Sequence, residues 1–183
     1  GVSGLPGYTV AVPNATTSIT VTAVKADPNA TLTISPSTTV NNLPVGNTVF
    51  TIEVTALNGN QKTYFVTVNR LAPLSNNADL STLEVFAGAA ATPPALALTP
   101  SPFSSATTSY TTAEVDNTVT QITIVATRAD PNATMTIDGV ASTGQTTVNI
   151  GAPGSTTQIL IVVTPPSGPA DAKTYTVDVP KAL

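Results

Sequence analysis

Residues 24–31 read VKADPNAT, and residues 127–134 read TRADPNAT. A segment that recurs 103 positions later in a chain of 183 residues indicates two copies of one structural unit. Asp-Pro followed by Asn is typical of a type I turn, because proline fixes φ at the second turn position and the Asp side chain can bond to the backbone two residues on. We interpret the repeat as a turn between strands in each copy.

The order of segments around this turn also agrees between the two copies. Tyr8 and Tyr110 precede it, and the similar stretches Lys62–Val68 and Lys173–Val179 follow it. The offset grows from 102 positions at the tyrosines to 111 at the Lys-Thr-Tyr stretches. Surface loops accommodate insertions of this size far more readily than cores do. The whole pattern therefore predicts a tandem repeat with longer loops in the second copy.

The distribution of apolar residues is that of β-strands. In Phe50–Ala56 the even-numbered positions are apolar and the odd-numbered positions are Thr or Glu. A period of two places one face of a sheet in the core and the other in solvent. Ile19–Ala23 and Tyr64–Val68 alternate in the same way, and no stretch keeps a helical period. Short strands separated by turn residues predict an all-β fold of two antiparallel sandwiches.

The boundary between the copies is predicted in the Pro- and Asn-containing segment that follows residue 70. The predicted domains are residues 1–71 and residues 72–183. The second domain opens with a strand pattern, Asp79–Val85, that has no counterpart in the first, where only seven residues precede Tyr8. The first domain therefore lacks its opening strand.

A sandwich without one strand has an unpaired edge, which native proteins usually cover or pair. We predict that this edge lies at Tyr8, Val10 and Val12. Three fillers remain open: a strand before Gly1, the segment 2–7, or a strand added by another copy of the chain or a neighbouring domain. Phe65 lies on the outward phase of its strand and is a second candidate contact residue.

The order of these segments resembles the cadherin-like β-sandwich domain of bacterial surface and secreted proteins. The resemblance covers residues 74–181 well and residues 8–70 without the opening strand. It implies cadherin-like or immunoglobulin-like sandwiches that are non-catalytic, extracellular and usually tandem, and it is not tied to one ligand. The segments that carry it are Ala78–Val85, Phe103–Tyr110, Ile122–Ala126, Ala129–Thr134 and Lys173–Val179.

Composition limits the chemistry. The chain has no Cys and no His, so it lacks thiolate ligands and the commonest general base. A net charge of −4 argues against a nucleic-acid partner, and no apolar run is long enough to span a membrane. Glu114 and Asp116 are predicted to share a strand face, as glycosidase carboxylates can, or simply to be solvated. We predict no catalytic residue and no cofactor.

Two groups of polar residues are candidate sites. Asp27 and Asp130, each near a basic residue (Lys25 or Arg128), fit either a repeated recognition site or a turn that bonds to its own backbone, and the turn is favoured. The connector offers too few carboxylates, at Asp79 and Glu84, for a calcium ion that needs six to eight oxygen ligands, even with Asn76 and Asn77. No metal site is predicted.

The leading functional hypothesis is a non-catalytic structural or adhesion module at the cell surface. It would serve as a rod segment, a spacer or a filament subunit, with the open edge of its first domain completed by another strand. The alternative is a carbohydrate-binding accessory module of a secreted enzyme. Such modules use exposed aromatic residues, and the chain has no Trp.

Overall fold

The computed structural model of the chain describes residues 7–183, and these are almost entirely β-structure. The only helical element in this range is a single 3-10 turn, Pro169–Asp171. The chain divides into two compact units, with the division between Pro73 and Leu74. The all-β prediction is confirmed.

The second unit is a complete sandwich of two sheets. One sheet has the order β13-β10-β7 and the other the order β12-β11-β14-β15-β9-β8. All pairings are antiparallel except that of β9 with β15. The strands are β7 Leu80–Ala87, β8 Leu98–Thr99, β9 Ser109–Thr112, β10 Gln121–Arg128, β11 Thr134–Ile137, β12 Val140–Ala141, β13 Gln145–Asn149, β14 Thr156–Thr164 and β15 Lys173–Pro180.

The core of the second unit lies between these two sheets. Strand β14 shows how the alternating sequence builds it: Ile159, Ile161 and Val163 are fully buried, whereas Leu160 between them is 41% exposed. Tyr110 and Tyr175 are the largest fully buried side chains of this unit. The opening strand β7 contributes Leu80, Leu83 and Val85 to the same cluster. Without β7, one side of this core would face solvent.

The first unit repeats this plan with fewer strands. Its larger sheet has the order β1-β6-β5-β3, with β1 parallel to β6, and its smaller sheet is the pair β2-β4. Its strands are β1 Gly7–Val12, β2 Ser18–Thr20, β3 Thr31–Ser35, β4 Thr39–Asn41, β5 Gly46–Thr55 and β6 Gln61–Arg70. The larger sheet matches β9-β15-β14-β11 in order and direction, and β2-β4 matches β10-β13. Strands β7, β8 and β12 have no counterpart among residues 7–73.

The absence of a β7 counterpart explains where the strand prediction for Ile19–Ala23 differs from the structure. Only β2, Ser18–Thr20, forms a ladder. Val21 still donates a backbone hydrogen bond to Thr38 at 2.8 Å, and Thr22–Lys25 continues without a ladder partner among the described residues. In the second unit, β10 runs through the corresponding positions with β13 on one side and β7 on the other. A backbone that has lost one of its two neighbours is left as an unpaired edge.

The structure has a second unpaired edge besides the predicted one, which is an edge strand of the larger sheet. Tyr8, Val10 and Val12 lie on β1, which pairs with Val66, Val68 and Arg70 of β6 on one side. Its other side is unpaired among the described residues, but the corresponding side of β9 carries only the two-residue strand β8. The missing opening strand belongs beside residues 19–25, in the opposite sheet. The segment 2–7, considered as a filler, lies outside the described residues except for Gly7.

Replacing a buried residue of β14 tests where the core sits. We expect Ile161→Ala to lower the free energy of unfolding of the second unit by about 2–5 kcal/mol, because it leaves a cavity between the sheets. The neighbouring change Leu160→Ala should cost less than about 1 kcal/mol, since that side chain is already partly in solvent. Urea unfolding followed by NMR signals of the second unit gives both values. Equal losses would contradict this packing.

Candidate functional site

The first unit has an apolar groove where the second unit has strand β7. Its volume is about 510 Å³. One wall is the unpaired segment 21–27, and the floor is the inner face of β3, β5 and β6. We call it the open groove. Its principal apolar lining residues are Val21, Ala23, Leu32, Val54, Tyr64 and Val66, with Tyr8 of β1 at one side.

Residues of the open groove are more exposed than the residues at matching positions of the second unit. Tyr8 is 62% exposed, whereas Tyr110, at the matching position, is 1% exposed. Tyr64 is half-buried and Tyr175 is fully buried. Tyr110 packs against Phe103, with ring centres 5.5 Å apart, and its hydroxyl group bonds to the backbone of Ser104. Tyr8 belongs to the predicted open edge, and its contact with a partner stays a prediction.

The second unit shows what fills this space in the complete fold. Strand β7 runs antiparallel to β10, with Val85 opposite Ile124 and Leu83 opposite Ala126. Leu80 follows after an irregularity in the register and lies opposite Arg128. These three β7 side chains are at most 4% exposed. Burying each one contributes about 1.5–3 kcal/mol relative to exposure, so β7 is a major part of this core.

A polar cluster holds the beginning of β7 in place. Tyr175 donates its hydroxyl proton to the carbonyl of Ser105 at 2.9 Å and accepts a hydrogen bond from the backbone N–H of Leu80 at 3.1 Å. Lys173 Nζ lies 2.8 Å from Asp79 Oδ1. The hydrogen bond to Asp79 raises the pKa of Lys173 above its ordinary value, against a smaller opposing effect of desolvation. This cluster links the first residues of the domain to its last strand.

The first unit keeps one half of this cluster. Lys62 Nζ lies 5.1 Å from the centre of the Tyr64 ring, and Lys173 Nζ lies 5.2 Å from that of Tyr175. Residues 7–73 contain no carboxylate at the position of Asp79, because Asp79 directly precedes β7 and β7 has no counterpart there. Lys62 forms no ion pair within the described part of the chain.

The repeated Asp-Pro turns have a structural role. Asp27 Oδ1 accepts a hydrogen bond from the backbone N–H of Asn29 at 2.9 Å, and Asp130 Oδ1 accepts one from Asn132 at 2.8 Å. Lys25 Nζ donates to the carbonyls of Pro28 and Ala30 within the same turn. The second turn has the same design, in which Arg128 donates to the carbonyl of Ala133. Hydrogen bonds from Ser75 and then from the Asn132 backbone lower the pKa of Asp130.

The other carboxylates singled out in the sequence also bond locally. Asp116 accepts hydrogen bonds from the backbone and hydroxyl of Thr118, which lower its pKa. Glu114 and Asp116 flank Val115, which forms only an isolated bridge, so the predicted strand face does not form. At the connector, Asn77 Oδ1 accepts from the N–H of Asp79. Residues 7–183 contain no group of three or more acidic residues arranged for a metal ion.

Phe65 is half-buried in β6, where its register partners are Gly7 and Thr51. Its contact with a partner remains a prediction. In residues 7–183, no helix is both long enough and apolar enough to cross a membrane. The open groove is the feature that sequence reasoning located only in part. The repeat predicted an opening strand for the second domain alone. It did not predict that this strand pairs with β10.

Removing the carboxylate of the polar cluster should make the stability of the second unit depend differently on pH. The raised pKa of Lys173 stabilises the fold below the ordinary value of 10.5, and this contribution is lost as pH rises through the folded-state pKa. At pH 8 we expect Asp79→Asn to lower the free energy of unfolding by about 0.5–1 kcal/mol, since both groups are partly exposed. The difference from wild type should shrink above pH 11.

The matched control is Asp178→Asn, because Asp178 bonds Gln158 across β14 and β15 and forms no ion pair in the described residues. Its effect should not change between pH 8 and pH 11.5. Urea unfolding at each pH measures both. An Asp79→Asn effect that persists undiminished above pH 11 would show that the ion pair does not stabilise this end of the domain.

Comparison with known proteins agrees with this architecture. The family model of the cadherin-like beta sandwich domain matches residues 5–71 and residues 80–182. No curated protein matches the sequence.

Matches among solved structures have low identity and low TM-scores. Protocadherin Gamma B7 extracellular cadherin domains 1–4 share 6% identity over 97% of this chain and 49% of theirs, with a TM-score of 0.36. Sidekick-1 immunoglobulin domains 1–4 share 11% over 98% and 50%, with a TM-score of 0.29. The SGBP-B protein of the Bacteroides ovatus mixed-linkage glucan utilization locus, solved with a heptasaccharide, shares 14% over 99% and 67%, with a TM-score of 0.24.

The chain spans about half of the protocadherin and Sidekick-1 structures. At these TM-scores the structural likenesses add nothing to the family match, which rests on the sequence itself. The two matched regions cover most of the 183 residues. The chain therefore belongs to the family of cadherin-like beta sandwich domains and contains two of them in tandem.

Proposed function

We propose that the chain is a non-catalytic structural or adhesion module of the cell surface, and that its first unit works as an acceptor for another strand. Cadherin-like and immunoglobulin-like domains are generally non-catalytic and typically extracellular. The observation that carries the proposal is the contrast between the units. One sandwich is closed by its own opening strand, and the other keeps the groove for that strand open.

The local use of the carboxylates supports a structural role. Asp27, Asp116 and Asp130 each close a turn, and Asp79 pairs with a lysine. Hydrogen bonds to these groups fix the backbone, which suits a module that transmits force or sets a spacing. A nucleophile or general acid needs a partner positioned to exchange a proton with it.

A carbohydrate-binding function is the second candidate, and the two tyrosines of the open groove favour it. Tyr8 and Tyr64 both line the groove, and aromatic rings are a common surface for sugars. The groove is mostly apolar, however, and the few polar groups at its end include Lys25 and Asp27, which already bond within their own turn. A sugar ring also needs polar partners for its hydroxyl groups.

Cell-surface exposure is tested by treating intact cells of the source organism with a protease that does not cross membranes. We expect the chain to be degraded while cytoplasmic proteins remain whole, because a surface module is accessible from outside. Immunoblotting of treated and lysed cells gives the result. Degradation only after lysis would contradict a surface role.

Affinity electrophoresis in gels containing soluble polysaccharides separates the two candidate functions. For a structural module we expect no retardation, and Tyr8→Ala should migrate as the wild type does. The control is Phe65→Ala, an aromatic deletion on the same sheet but outside the groove lining. Retardation that Tyr8→Ala abolishes and Phe65→Ala leaves intact would favour the carbohydrate-binding alternative.

A further inference from the structure

We propose that the open groove binds an extended polypeptide strand that runs antiparallel to residues 19–25 and carries an acidic residue for Lys62. The strand comes from outside residues 1–183 and repeats the pattern of Asp79–Val85. In that pattern an acidic residue is followed directly by an apolar residue, and two more apolar residues follow three and five positions after the first apolar one. This inference rests on the proposed role of the first unit as a strand acceptor and specifies its partner.

The position of the strand follows from the internal comparison. Positions 122–128 of β10 correspond to residues 19–25 through the constant offset of 103 around the Asp-Pro turn. Transferring the β7–β10 register places the Val85-type residue opposite Val21 and the Leu83-type residue opposite Ala23. The Leu80-type residue then lies opposite Lys25. The free backbone groups of this segment provide the hydrogen bonds that strand addition requires.

The apolar character of the groove determines the inward side chains of the partner. In the second unit, Ile124 and Ala126 are at most 1% exposed beneath β7, whereas their counterparts Val21 and Ala23 are half-exposed. Strand side chains alternate between faces, so a partner buries only one set of positions. Its outward positions are free to be polar, as Glu84 is in β7.

Lys62 determines the charge at the beginning of the partner. Lys173 is fixed over its tyrosine ring by Asp79 of β7, and Lys62 is held over Tyr64 at nearly the same distance without such a carboxylate in residues 7–183. A carboxylate that enters at the position of Asp79 would restore the pair. Charge complementarity therefore fixes the direction of the strand as well as its composition.

Two other occupants fit less well. A second copy of the chain could insert its own β7 into the open groove. The second unit of that copy would then lose the contacts that β7 makes there, so the exchange would give no net gain in buried surface. The first six residues, GVSGLP, contain no acidic residue for Lys62 and do not repeat the pattern of Asp79–Val85.

The test is binding of a fluorescently labelled peptide with the sequence of residues 77–88, NADLSTLEVFAG, to the whole chain. We expect saturable binding by fluorescence anisotropy with a Kd of roughly 10–100 μM, typical of a short strand that must be ordered on binding. At a peptide concentration ten times this Kd, the midpoint of thermal unfolding of the first unit should rise by about 5–10 °C.

Two variant peptides serve as controls. The peptide with Leu83→Lys should not bind, because Leu83 is an inward residue of β7, whereas the peptide with Glu84→Gln should bind as the parent does, because Glu84 points outward.

Two matched variants of the chain locate the site. Ala23→Glu places a charge in the groove and should weaken binding at least ten-fold. Ala11→Glu makes the same change on the exposed edge strand β1 and should leave binding unchanged. Hydrogen exchange should slow in residues 19–25 when the peptide is added. Protection of residues 8–12 instead would overturn the proposed position.

A charge exchange tests the role of Lys62. The variant Lys62→Glu should bind the parent peptide about three- to ten-fold more weakly, as expected for a partly exposed ion pair turned repulsive. The peptide variant Asp79→Lys should lose affinity for the wild-type chain and recover it with Lys62→Glu. Independent losses without recovery would overturn the pairing.

Failure of this inference and failure of the proposed function give different results. If the peptide does not bind or raise the unfolding midpoint while protease treatment still reaches the chain on intact cells, the surface role stands and the strand partner is wrong. If polysaccharide binds the groove and the peptide does not, the groove is a sugar site and both are wrong. Binding in the absence of surface exposure supports the strand site alone.

Discussion

Burial of the opening strand against the larger sheet is the interaction on which the closed sandwich of the second unit depends. In the second unit, Leu80, Leu83 and Val85 close the core over Tyr110 and Tyr175, and all five side chains are at most 4% exposed. Among residues 7–73 only Leu43, Phe50 and Val68 form a fully buried cluster, at the end of the sandwich that β2 and β4 still cover. The same fold thus has a closed and an open form within one chain.

Most of the fold follows from local patterns in the sequence. The alternation of Phe50–Ala56 gives β5 its buried and exposed faces, and the repeated Asp-Pro turns form with the predicted backbone bonds. The Asp138-Gly139 turn is equally local, since both residues have the positive φ angles that a tight hairpin favours. These features are predictable because each depends on residues that are close together in the chain.

The location of the open groove was not predictable in the same way. The repeat predicts a strand for the second unit that has no counterpart in residues 7–73. It does not predict that β7 pairs with β10 in the other sheet rather than with the strand that follows it in sequence. This pairing is non-local, so no short-range pattern encodes it.

The bonds that Lys25 makes to the carbonyls of Pro28 and Ala30 have a consequence for how the first unit meets a partner. They anchor the end of the unpaired segment to a rigid turn, while Val21 at the other end is bonded to Thr38. An edge held extended at both ends has already lost much of its conformational freedom. An incoming chain therefore has to order little besides itself, which makes the empty unit a preorganised template rather than a partly unfolded one.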